Sequence, residues 1–150
     1  MLKMNKRQQD DRLLKGFIAF GIAAAILHFG DLLLDSHIEL FNGIAYFSFS
    51  WITAVFILPF ITGIIVAYIF GGGGKWLAVF PPLLVRAMAL YQVTNSPLPD
   101  HMSREPIGWW GFFLILIMES AMIGGVVGEV VNKRTYGRRA KDVVYKKKSI

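Results

Sequence analysis

The chain has no cysteine among its 150 residues. Disulfides, thiolate metal sites and thiol redox chemistry are therefore excluded. Charge is almost absent from long stretches: residues 40–74 contain no Asp, Glu, Lys or Arg. Only three of the sixteen Lys and Arg (Lys75, Arg86 and Arg104) fall between residues 16 and 132. A water-soluble core of this size has no use for such uncharged runs, whereas each helix that crosses a bilayer needs about 20 predominantly apolar residues. Catalytic signatures are also missing. There is no G-x-S-x-G elbow, and no pair of histidines stands four residues apart. Gly71 to Gly74 with Lys75 lack the G-x-x-x-x-G-K-[ST] spacing of a phosphate loop. A soluble enzyme, a disordered tail protein and a nucleic-acid module are excluded. The pI of 9.7 is no DNA signal, because the cations are confined to the two ends and a short loop.

What is present is 55% apolar residues in four runs. They predict an all-α integral membrane protein: an antiparallel four-helix transmembrane bundle with spans near 16–34, 51–70, 76–92 and 107–131. A basic N-terminal segment, 1–15, precedes this domain of 16–132, and a polybasic tail, 133–150, follows it. The first span is expected to be retained rather than cleaved, since Asp31 and Asp35 follow it in place of a small-residue cleavage site. Residues 41–50 read either as an aromatic interfacial segment or as an early start of the second helix. Pro81 and Pro82 suit a first helical turn, where their missing N–H groups have no partner. If the third helix starts there, Trp76 to Phe80 stand outside it.

With four spans, both termini and loop 71–75 share one side. That side collects fourteen Lys and Arg, against Arg104 alone on the other. The positive-inside rule then makes both termini cytoplasmic, and the expected location is the cell (inner) membrane. Trp76, Trp109 and Trp110 fall at helix ends, where amphipathic rings settle in the headgroup layer.

Ionisable residues inside spans face a bundle interior, a partner or a water-filled cavity. At 1.5 Å per residue, Arg86 lies about 15 Å from Trp76, and Glu119 about 18 Å from the start of the last span. Matching depth on sequence-adjacent helices predicts a buried Arg86–Glu119 ion pair. His28, Asp31 and Asp35, spaced three and four apart, fall on one stripe of the first helix. With His37 and His101 on the same outer side they form a candidate metal or proton site, because imidazole and carboxylate suit several divalent metals.

Gly124, Gly125 and Gly128 contain a G-x-x-x-G step, and such small-residue faces let helix backbones approach closely in lipid. Lys133, Arg134, Arg138, Arg139, Lys141, Lys146, Lys147 and Lys148 predict contact with anionic lipid or an acidic partner. The leading functional expectation is a small, non-catalytic accessory subunit that packs with other membrane subunits of a larger complex in the lipid bilayer. One alternative is an oligomeric transporter or channel using Asp31, Arg86 and Glu119. Another is a metal-binding or redox subunit using His28, Asp31 and Asp35, with a metal ion as its cofactor.

Overall fold

The computed structural model describes residues 6–41, 48–98 and 102–147, the side chains of 6–8 and 136–147 aside. It is mostly helical. In chain order it comprises α1 (Lys6–Leu34), β1 (Leu40–Phe41), α2 (Phe49–Ile52), a π-helical turn (Thr53–Ile57) and α3 (Leu58–Phe70), then α4 (Gly74–Leu77), α5 (Phe80–Asn95), β2 (Ser103–Arg104) and α6 (Ile107–Lys147). Among the described residues four helical segments are long and apolar enough to cross a membrane: Gln9–Leu34, Phe49–Phe70, Gly74–Asn95 and Ile107–Thr135. In hydrocarbon every backbone polar group must be satisfied within the segment, and a helix does this by itself.

The departures from regular helix have local causes. Pro59 has no N–H to offer the carbonyl of Val55, and its ring crowds that carbonyl. The turn before it widens, so that the Leu58 N–H bonds Thr53 O, five residues back. The third span is two helices. α4 ends at Leu77, and α5 restarts at Phe80 with prolines in its first turn. α6 does not stop where its apolar run ends; it continues through the basic residues to Lys147.

The most extensive interface lies between α3 and α6. Four contacts recur at a constant separation of 64 residues. The Ser120 hydroxyl donates to Phe56 O at 2.6 Å, and the Asn132 amide donates to Tyr68 O at 2.5 Å. Between these polar rungs, Gly124 and Gly128 lie against Phe60 O and Ile64 O, so close that a Cβ at either glycine would collide with backbone. Gly63 of α3 sits equally close to Ala121 O. The constant offset means that both helices advance in the same sense, one rung per four residues. Small residues bring the backbones together, and hydroxyl and amide side chains close the ends of the seam.

Two apolar clusters flank this seam. Ile38, Trp51, Ala54, Val55, Phe113 and Ile117 pack together toward one end, while Ala19, Ala23, Val66 and Ala78 pack toward the other. At the first end β1 and β2 pair antiparallel, Leu40 opposite Arg104, which joins the connections that precede α2 and α6. At the second end Arg12 donates to Gly72 O at 2.7 Å and lies over the Phe70 ring.

Candidate functional site

Arg86 lies six residues beyond the start of α5, and only 2% of it is exposed. Its guanidinium takes two carboxylates. Nη2 donates to Asp31 Oδ1 at 2.6 Å, and Nη1 donates to Glu39 Oε1 at 3.4 Å. Glu39 is as buried as the arginine, whereas Asp31 is partly buried. The planar fork of an arginine can serve two acceptors at once, which an ammonium does less well.

Each acid is held by its backbone. α1 terminates just beyond Asp31. Asp35 adopts φ 47, the Asp35 N–H reaches Leu32 O, and the Ser36 N–H reaches Asp31 O. These bonds form the left-handed cap that ends many helices. The chain then turns back, buries Ile38 in the apolar cluster and aims Glu39 inward. The Glu105 N–H donates to Glu39 O at 3.0 Å, which ties this segment to the start of α6. A cavity of about 290 Å³ adjoins Glu39, with His37, Gln92 and Ser96 in its wall. Two carboxylates thus share one guanidinium, and one of them, Glu39, also lines that cavity.

This arrangement corrects two sequence expectations. Arg86 is not paired with Glu119, which is exposed on the outer side of α6 and has no hydrogen bond or ion pair among the described residues. Equal depth set the two residues level, but helical phase turns them to different sides. Nor do His28, Asp31 and Asp35 converge. Asp31 is taken by Arg86, and His28 is exposed beside Phe29. The Asp35 side chain is 95% exposed, 3.5 Å from His37, because the left-handed cap carries it off the helical stripe. Among the described residues no three His, Asp or Glu side chains are grouped to hold a metal. His101 and Lys148 lie outside the described residues. Lys133 and Arg134 are exposed on α6, and Arg138, Arg139, Lys141, Lys146 and Lys147 lie on its continuation.

Glu39 was not legible as a site residue, because its position reads as loop. The available signal was its setting, an acid flanked by Ile38 and Leu40 at the edge of the uncharged run 40–74. A second buried acid, Glu129 on α6, accepts from the backbone N–H groups of Gly73 at 2.9 Å and Lys75 at 3.1 Å. It fixes the glycine turn, where Gly73 has φ 91, a conformation costly for any residue with a Cβ. Glu105 has one carboxylate oxygen buried without a partner among the described residues, and this loss of solvent raises its pKa above the usual carboxylate range.

Glu119 lies in a groove of about 310 Å³ whose other walls are Trp76, Val79, Phe80, Ile115, Met118 and Met122. Apart from the carboxylate the groove is apolar. Comparison with protein-family models, with curated proteins and with solved structures found no match to this chain.

Proposed function

We propose that the protein is a small non-catalytic subunit of a larger membrane complex: an antiparallel four-helix bundle in the cell membrane with both termini cytoplasmic. The observation that carries this reading is the outward-facing Glu119, midway along a membrane-crossing helix and flanked by apolar side chains. A lone carboxylate on a lipid-facing surface is expensive, and residues of this kind are kept where something covers them. The interior supports the same reading. Arg86 is fully engaged by Asp31 and Glu39, so the polar groups at the core act as a clamp between α1, α5 and the segment before β1. The fourteen cations at the termini and glycine loop favour the cytoplasmic orientation, and those on α6 beyond Thr135 suit an anionic lipid surface. Extraction of native membranes in mild detergent followed by native electrophoresis should find the chain in a discrete assembly with different polypeptides. Migration only as a monomer or homo-oligomer would overturn the reading.

One observation favours a second reading, proton- or cation-coupled transport. Glu39, one of the two carboxylates that share the Arg86 guanidinium, lines a cavity and offers a place for a proton. In liposomes carrying the purified chain, Glu39→Gln and Asp31→Asn should then abolish dye-monitored proton flux. Flux that is absent in the parent chain, or unchanged in both variants, removes this alternative.

A further inference from the structure

We propose that the groove around Glu119 receives a transmembrane helix of a different polypeptide, and that this helix presents a Lys or Arg to the carboxylate. The inference rests on the subunit reading and names the chemistry of the partner.

Glu119 is twelve residues into α6, about 18 Å along it, too deep for a lipid headgroup to reach comfortably. Its surroundings fit a cationic side chain. The exposed ring of Phe80 offers a face that attracts cations, and the carboxylate supplies the counter-charge. Met118 and Met122 are unbranched and adaptable, so they can fill the gaps beside an incoming helix.

A second copy of the chain fits less well, because the cations within and beside its spans are already engaged or lie outside the spans. Arg86 is buried against two acids. Lys75 stands near a helix end with its ammonium over the Trp76 ring, and Arg104 is in β2, outside the spans. The charge that complements Glu119 must come from another chain.

The test uses the full-length chain in its native membranes, with a photo-crosslinking phenylalanine analogue at Met122. Irradiation should yield an adduct with a different polypeptide, mapped to an apolar helix that carries a Lys or Arg. Glu119→Lys should reduce the adduct at least tenfold, and reversing the partner's cation to Glu should restore it. Glu119 is exposed, so both Glu119→Lys and Glu119→Gln should keep the parent thermal midpoint. Should the lysine variant not accumulate, the isosteric Gln variant takes its place and should lower the adduct severalfold. Adducts only with lipid or a second copy, a mapped helix without a basic residue, or a yield indifferent to Glu119 would overturn the proposal. If the chain still migrates in a large assembly after such a result, the subunit reading survives and only the groove assignment falls. A chain that migrates alone ends both.

Discussion

At the scale of single residues, the decisive feature is how each charge is disposed of. Breaking a buried ion pair by removing one partner strands the other and costs about 3–5 kcal/mol. Arg86→Leu should therefore lower the thermal midpoint in detergent sharply, because it strands both Asp31 and Glu39. A triple variant with Asp31→Asn, Glu39→Gln and Arg86→Leu should regain much of the loss. Equal instability of the single and triple variants would show that the charges are not what holds the cluster. Glu105 gives a pH signature. Burial raises its folded-state pKa above the unfolded value, so protonation favours the folded chain. Its contribution is fully present below the ordinary carboxylate range and is lost as pH rises through the raised value. Glu105→Gln should flatten that part of a stability–pH curve, and an unchanged slope in the acid range would remove the assignment. The sequence told that Arg86 was buried, but it buried Glu119 as well, passed over Glu39, and did not tell who met whom. Depth follows from counting residues, whereas Arg86's choice of Asp31 and Glu39 over Glu119 depends on rotation about helix axes. It depends also on a backbone reversal at Asp35 that no periodicity announces.

At the scale of elements, span existence was legible because hydrocarbon demands length and apolarity together. The four expected spans each fall within a helical segment of the structure, though the ends moved. α1 and α6 extend into charged sequence that helix geometry tolerates but a bilayer does not require. The third span breaks between Leu77 and Phe80, where the paired prolines of α5 begin a new helix. The α3–α6 seam was half visible. The glycine step stood out, whereas Ser120 and Asn132 continue its four-residue spacing with polar side chains that an apolar count overlooks. Glycines on this seam and off it should respond oppositely. Gly124→Leu puts a side chain into the backbone of α3, and overpacking of this kind costs about 1–3 kcal/mol or more. Gly21 has nothing within 4 Å of a Cβ, so Gly21→Ala should stabilise α1 by about 0.5–1 kcal/mol. Thermal midpoints of the two variants in one detergent decide the matter, and similar losses would deny the seam its special role.

At the scale of the whole molecule, the lack of cysteine makes orientation directly measurable, since any introduced thiol is unique. Ser96→Cys and Ser149→Cys should react with a membrane-impermeant maleimide from opposite faces of sealed vesicles, Ser149→Cys from the cytoplasmic face. Labelling of both from one face would contradict the cation-based orientation. The α3–α6 seam has a further consequence, for the order of synthesis. Its two halves are separated by 64 residues, and the later half belongs to the last span to emerge. Until the α6 sequence has been made, the face formed by Phe56 of the π-helical turn and by Phe60, Ile64 and Tyr68 of α3 lacks this partner. A chain that ended before Ser120 would hold the sequence of the first three spans without this seam. The most extensive of the helix interfaces is thus completed only with α6.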